Sequence, residues 1–274
     1  MATIAEELSG RAPRPDLLSG TPRAHPIDRW IYVFMAVWFI TIVLVGFIPD
    51  SLAKLEAVRA GTRPPLPLPM HVHAVLMGSF MLLLLAQTSL AATGRIDRHR
   101  SLGRLGLVLA PALVVAGIVL AATNYHVVWD LSLSGPPGLR ERMATRVMHL
   151  DNILLLQLQI GLMFGLFIWL GLRARGRDAG FHKRMMILAT AVTLPAAIDR
   201  MDWLPSTLPS SPLASYLYVL LAVAPLFVWD LVRNRAVHRA YWSWGAVYAL
   251  SVTAVILLWD TPAWHAAAHR IMGA

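Results

Sequence analysis

The sequence predicts an all-α protein, a polytopic transmembrane bundle of seven helices, from three observations. Apolar residues make up 57% of the 274 residues and charged residues only 14%, far from the composition of a soluble domain. Seven apolar stretches reach the roughly 20 residues that cross a bilayer. Lys and Arg are concentrated in alternate connections between these stretches. Together these features exclude a soluble enzyme, a disordered chain and a free nucleic-acid-binding protein.

The chain divides into a polar first segment and a membrane domain. Residues 1–29 contain Glu, Arg, Pro and Gly but no apolar core of the signal-peptide type, which predicts a poorly ordered cytoplasmic tail. Residues 30–274 form the membrane domain, with spans at 30–48, 70–92, 103–122, 150–172, 184–201, 213–231 and 242–260. Pro195 interrupts the fifth span, where neighbouring groups must satisfy the freed carbonyl. The 123–148 connection contains Ser-Gly-Pro-Pro-Gly and is predicted to be an outer loop.

The basic residues predict the orientation. Sixteen of the 24 Lys and Arg residues fall in the tail and in the connections on the same side as the tail. This bias predicts that the N-terminus is inside and the C-terminus outside. The net charge of +9 therefore faces anionic lipid, and the expected partner is a lipid bilayer and not nucleic acid. We expect a multi-pass protein of a bacterial inner membrane, with other membrane-protein subunits as candidate partners.

Two stretches of the sequence read alike and predict an internal repeat of helix pairs 2–3 and 4–5. Each begins with Met-His, carries Gln in its span and continues into a basic connection that contains another His. In this alignment His71 corresponds to His149, and His99 corresponds to His182. The alternative is that both helical hairpins share basic connections only because both obey the orientation rule.

Candidate metal ligands collect at the outer ends of the spans. The chain has no Cys, which excludes thiolate-bound zinc, iron–sulfur clusters and covalently attached haem. Imidazole and carboxylate groups suit divalent zinc, iron, manganese or copper. His73 lies deeper in its span than His71 and is the preferred ligand of the two. The predicted metal ligands are His73, His149, Asp199, Asp202, His265 and His269.

Helical spacing supports two pairs within this set. Asp199 and Asp202 are three residues apart and share a helix face, and His265 and His269 are four apart, which suits two imidazoles on one ion. The alternative is a network of ion pairs and hydrogen bonds in which the carboxylates pair with Arg or His. On the inner side, basic residues flank His99 and His182, which favours a shallow position and contact with lipid headgroups.

The sequence resembles an uncharacterised family of small multi-pass proteobacterial inner-membrane proteins, in the segments HVHAVLMGSFMLLLLAQ, RHRSLGR and FHKRMMILATAVTLPAAIDRMDWLP. A second resemblance, in layout only, is to the ascorbate-reducing di-haem cytochrome b proteins. It implies haem b, with His73 or His71 paired with His149 at the outer face. The inner pair in that layout is His99 with His182.

The function predicted from these residues is an integral inner-membrane protein with an outer-face metal or haem site centred on His73 and His149. That site predicts redox or metal-dependent chemistry. One alternative is a non-catalytic accessory subunit, assembly factor or scaffold of a membrane complex. A transporter is a further alternative, which the lack of broken helix pairs and of mid-membrane charge disfavours.

Overall fold

The computed structural model describes residues 16–19 and 25–274, which are helical almost throughout and contain no strand. Most of the tail predicted at residues 1–29 lies outside the described residues. A 3-10 turn at Leu17–Ser19 is followed by α1 (Pro26–Arg59), α2 (Leu68–Ala92), α3 (Ile96–Gly103), α4 (Gly106–Ser134), α5 (Pro137–Ala174), α6 (Ala179–Ala191), α7 (Pro195–Ile198), α8 (Leu213–Asn234), α9 (Arg239–Leu258) and α10 (Pro262–Met272).

Among the described residues, six helical segments are long and apolar enough to cross a membrane: α1, α2, α3 continuing into α4, α5, α8 and α9. Large apolar side chains cover their outward faces, for example Leu162, of which 75% is exposed, and Leu257, of which 72% is exposed. Such a surface is stable against lipid and not against water. The prediction of an all-helical, multi-pass membrane protein is confirmed at this level. The inside position of the N-terminus stays a prediction.

The fifth predicted span, 184–201, is not one helix. It is divided into α6 and α7, and the chain turns between Ala191 and Pro195. Pro195 has no amide hydrogen, so it cannot donate the backbone hydrogen bond that would continue α6. Arg184 pairs with Asp230 near the end of α8, whereas Asp199 accepts a hydrogen bond from Ser215 near the start of α8. The segment formed by α6 and α7 therefore runs antiparallel to α8. Neither of its two helices is long enough to count as a seventh membrane span.

Successive long helices pack against one another, α1 on α2, α2 on α4, α4 on α5 and α5 on α6, as short connections require. α8 then closes against α1, and α9 and α10 pack on α5. The bundle has an arginine-rich end, where His99, His182 and Arg184 lie, and an opposite end, where Asp151 and Asp199 lie.

One close approach depends on glycine. α1 crosses α7 at Gly46, where an added Cβ atom would overlap the carbonyl oxygen of Ala197. Gly161 and Gly165 share the GxxxG spacing, yet nothing lies within 4 Å of a Cβ built at either position. The helix contact that needs glycine is therefore at Gly46 and not at the GxxxG sequence.

Candidate functional site

Two histidines meet at the arginine-rich end. The ring centroids of His99 in α3 and His182 in α6 lie 6.4 Å apart, with an angle of 84° between the planes. Nδ1 of His99 lies 3.1 Å from the backbone carbonyl oxygen of Gln87, and Nδ1 of His182 lies 2.7 Å from that of Gly171. Because a carbonyl oxygen only accepts, each Nδ1 is the donor, and Nε2 of a neutral ring keeps its lone pair.

The local fold explains why both rings turn toward the protein. α3 folds back on the last turns of α2, which brings His99 to a carbonyl 12 residues earlier in the chain. The Asp178 side chain caps α6 by accepting a hydrogen bond from the Phe181 amide, 2.9 Å away, and His182 then reaches a carbonyl 11 residues earlier. The same arrangement thus occurs at both positions of the predicted repeat, which itself stays a prediction.

The expected contact of these histidines with lipid headgroups stays a prediction, but they are less exposed than some of the basic residues beside them. Arg98 and Arg100 are exposed, whereas His99 and His182 are only partly exposed and bond the backbone. In a helix the two neighbours of a residue point away from it on either side. The flanking arginines therefore do not define the environment of the imidazole between them.

Gln87 adds an unpartnered amide beside this pair. Both polar atoms of its side chain are buried without a hydrogen-bond partner in the described residues. Gly103 packs directly against this amide, since a Cβ atom added there would lie 3.2 Å from Nε2 of Gln87. A buried amide that lacks partners costs about 1–3 kcal/mol. Such an amide is a candidate partner for a bound group or for a buried water molecule.

The histidines predicted at the outer site do not meet in the described residues. His71 is exposed, and His73 and His149 are partly exposed. Nδ1 of His73 is buried without a hydrogen-bond partner, and the ring packs near Gly117 on α4. No hydrogen bond or ring contact joins His73 to His149 within residues 25–274. Their role as ligands stays a prediction.

Asp199 and Asp202 also lie apart from these histidines. Asp199 accepts from Ser215, and Asp202 is exposed. Both line a cavity of about 270 Å³ together with Ser215 and Tyr218. Arg200, between them in sequence, pairs instead with Asp50 at 3.2 Å.

The histidines of α10 converge on a carboxylate that was not among the predicted ligands. Asp151 is fully buried, and its Oδ2 lies 2.8 Å from Nδ1 of His265 and 3.4 Å from Nε2 of His269. The hydroxyl of Tyr125 donates to Oδ1 of Asp151 at 2.7 Å. Nε2 of His265 faces Asp260 at 3.2 Å. Folding α10 back onto α5 creates this cluster, and no local sequence pattern shows that contact.

The six predicted metal ligands therefore fall into separate groups. Within residues 16–19 and 25–274, no group of three or more His, Asp or Glu side chains is arranged to hold a metal ion. The described part of this end contains hydrogen bonds and ion pairs, but Asp199 bonds Ser215 and Arg200 pairs with Asp50, which are not the partners that the alternative named.

Sequence reasoning missed a buried charge cluster at the arginine-rich end. Arg184 is fully buried and donates from Nη1 to Asp16 at 2.8 Å and from Nη2 to Asp230 at 2.9 Å. Nearby, His238 caps α9 by accepting a hydrogen bond from the Ala240 amide at 3.1 Å. Burial and the positive charge of Arg184 lower the pKa of His238 to about 4. The available signal was Asp230, a carboxylate inside an apolar span, which requires a partner.

No protein-family model, no curated protein and no solved structure matches this chain. The suspected relationship to small proteobacterial membrane proteins and to di-haem cytochromes therefore stays a prediction, and the function must be inferred from the sites themselves.

Proposed function

We propose that this protein is a redox protein of a bacterial inner membrane that binds a haem between His99 and His182. The observation that carries the proposal is the pairing of two imidazoles whose Nδ1 atoms are both held by backbone carbonyls. Metal-bound histidines characteristically donate their second nitrogen in this way, which fixes the tautomer and orients the binding nitrogen.

The spacing of the rings supports the same proposal. Two imidazoles that bind one metal ion from opposite sides, each at about 2 Å, have centroids roughly 6 Å apart. The centroids of His99 and His182 are 6.4 Å apart. The two side chains thus have the separation that a shared ion requires.

The number of available ligands favours haem over a bare divalent metal. A protein-bound divalent metal needs about three or four protein ligands. The described residues contain no group of three that could supply them. Haem brings its own four ring nitrogens and takes only two axial ligands from the protein. A haem with both axial positions filled by histidine supplies one-electron transfer.

The residues around the pair have matching roles in this proposal. The carbonyl oxygens of Gln87 and Gly171 hold the two rings in place. The unpartnered side-chain amide of Gln87 is available to hydrogen-bond the bound group. Gly103 lets α3 approach this amide closely, since a Cβ atom there would lie 3.2 Å from its Nε2. The second haem implied by the di-haem layout, at His73 and His149, has only the unpartnered Nδ1 of His73 in its favour.

Absorption spectra of the purified protein test the proposal. The wild type, expressed with a haem precursor and purified in mild detergent, should show a Soret band and α bands that sharpen on reduction. His99→Ala and His182→Ala should each lose the bound haem, whereas the matched control His126→Ala, at an exposed histidine of the opposite end, should retain it. A haem-free wild type, or full haem content in both variants, would overturn the proposal in favour of a non-catalytic subunit or scaffold.

A further inference from the structure

A short segment that precedes α1 in the chain is bound against α1, α6 and α8. It consists of Asp16 and the 3-10 turn at Leu17–Ser19. The side chain of Leu18 is only 2% exposed and belongs to the same apolar core as Phe181 of α6 and Leu226 of α8. A single turn makes too few hydrogen bonds to be stable by itself. The conformation of this segment therefore depends on the site that binds it.

The carboxylate of Asp16 is bound by the end of one guanidinium group. Its two oxygens accept hydrogen bonds from Nη1 and Nη2 of Arg184 at 2.8 and 2.9 Å, and Oδ1 accepts another from Nδ2 of Asn234 at 3.2 Å. Two parallel bonds of this kind select a planar anion such as a carboxylate. A Cβ atom added at Gly180 would lie 2.5 Å from Oδ2 of Asp16. The carboxylate can therefore reach Arg184 because residue 180 is a glycine.

The backbone of the segment is bound as well. The Leu17 amide donates to Oδ1 of Asn234 at 2.9 Å, and the ammonium group of Lys183 donates to the carbonyl oxygen of Leu18. Main-chain hydrogen bonds, combined with sites for particular side chains, are the means by which proteins recognise peptide segments. The groups that bind the segment, which we call the peptide pocket, are those of Gly180, Lys183, Arg184 and Asn234.

The charges of the peptide pocket require an anion. Lys183 and Arg184 contribute two positive charges, which Asp16 and Asp230 balance. Without Asp16 one positive charge would be in excess in a poorly hydrated site, which is unfavourable unless another anion pairs with it. Arg184 would keep Asp230, to which it donates from Nε and Nη2, and the carbonyl oxygen of Gly180. The pocket therefore stays in place when the segment is displaced, and it then favours a new carboxylate.

We propose that the peptide pocket is a recognition site for an Asp-Leu-Leu segment of a partner chain, and that residues 16–18 are the ligand that occupies it in cis. The partner's carboxylate replaces that of Asp16 on Arg184, and its second leucine replaces Leu18. A ligand tethered beside its own site has an effective concentration on the order of millimolar. The cis segment therefore excludes weak ligands, and a partner binds by displacing it. This inference does not depend on haem binding at His99 and His182.

Binding of a labelled peptide to the full chain tests the pocket. The probe is a fluorescent peptide with the sequence of residues 13–20, and fluorescence anisotropy measures its affinity for the protein in mild detergent. In the wild type the cis segment competes with the probe. Asp16→Ala weakens the cis segment, so the probe should bind this variant at least about tenfold more tightly. Leu18→Ala removes the buried side chain but keeps the charge, and it should also increase the affinity even if Asp16→Ala fails to fold.

Three controls distinguish the pocket from general binding to the protein or its detergent. Asp97→Ala removes an exposed carboxylate of α3 and should bind the probe as weakly as the wild type. A probe that carries Asp16→Ala should bind none of these proteins. Gly180→Ala, added to Asp16→Ala, places a methyl group where the carboxylate lies, so it should abolish binding of the unmodified probe.

Two results would overturn the proposal. One is equal affinity, or no binding, of the probe in the wild type, Asp16→Ala and Leu18→Ala. The other is binding to Asp16→Ala that persists when Gly180→Ala is added.

Discussion

Arg184 and Asp230 form an ion pair in which both side chains are inaccessible, with exposed fractions of 0% and 1%. Asp16, which is 22% exposed, binds the other edge of the same guanidinium. The pair joins α6 to α8, and Asp16 adds the segment before α1. Removal of the arginine would leave two carboxylates facing each other in a water-poor site.

Arg184→Met is expected to destabilise the protein by about 3–5 kcal/mol, because it leaves Asp230 buried without its counter-charge. Thermal unfolding in detergent, followed by circular dichroism, measures the loss. Arg177→Gln, at an exposed arginine with no assigned partner, is the matched control and should unfold like the wild type. The double variant Arg184→Met with Asp230→Leu should recover part of the stability. Wild-type stability of Arg184→Met would contradict the buried pair.

The lowered pKa of His238 predicts that the protein becomes less stable in acid. Burial and Arg184 lower its pKa to about 4, below the value near 6.5 of an unfolded chain. His238 therefore does not reduce the free energy of unfolding at a pH above its pKa in the unfolded chain. As the pH falls toward its pKa in the folded protein, the free energy of unfolding declines by on the order of 2–3 kcal/mol. His238→Asn keeps a cap acceptor at the start of α9 and removes the titration. Its unfolding temperature should decline less between pH 6.5 and pH 4 than that of the wild type.

Acid affects the arginine-rich end of the molecule through His238. Protonation of His238 opposes folding there, because its ring accepts the cap hydrogen bond and lies near Arg184. Peptide-resolved hydrogen exchange should show that α9 loosens in acid.

Gln87→Leu is expected to weaken haem binding without destabilising the fold. The amide has no hydrogen-bond partner in the described residues, so its removal leaves no new unpaired group in the haem-free protein. The unfolding temperature of haem-free protein should be unchanged or higher, whereas bound haem should fall or its midpoint potential shift. Gln157→Leu, at an exposed position of α5, is the control. A large loss of stability without haem would show that the amide serves the fold.

Gly46→Ala is expected to cost about 1–3 kcal/mol, because the new methyl group overlaps the Ala197 carbonyl and must separate α1 from α7. Gly165→Ala provides the comparison, since a Cβ atom there meets nothing within 4 Å. Unfolding temperatures of the two variants measure the difference. If Gly165→Ala proves the more damaging, the close contact lies at the GxxxG sequence instead.

Local patterns predicted the helices but not every boundary. The crossing predicted at 150–172 lies inside α5, and the predicted outer loop at 123–148 is largely helical as the end of α4 and the start of α5. This connection was interpreted as a loop because it contains Ser-Gly-Pro-Pro-Gly, and the break between the helices does lie there, at Gly135 and Pro136. The helices continue beyond the hydrocarbon region, since helix formation does not stop at the membrane boundary.

Composition and span length by themselves determined that this chain is an all-helical, multi-pass membrane protein, because a bilayer admits only segments that satisfy their own backbone hydrogen bonds. The tertiary structure alone decided which side chains meet. His265 and His269 bind Asp151 because α10 folds back onto α5, and His99 approaches His182 because α3 and α6 both turn back at the same end. Such pairings depend on how helices distant in sequence pack together, which spacing along one helix does not encode.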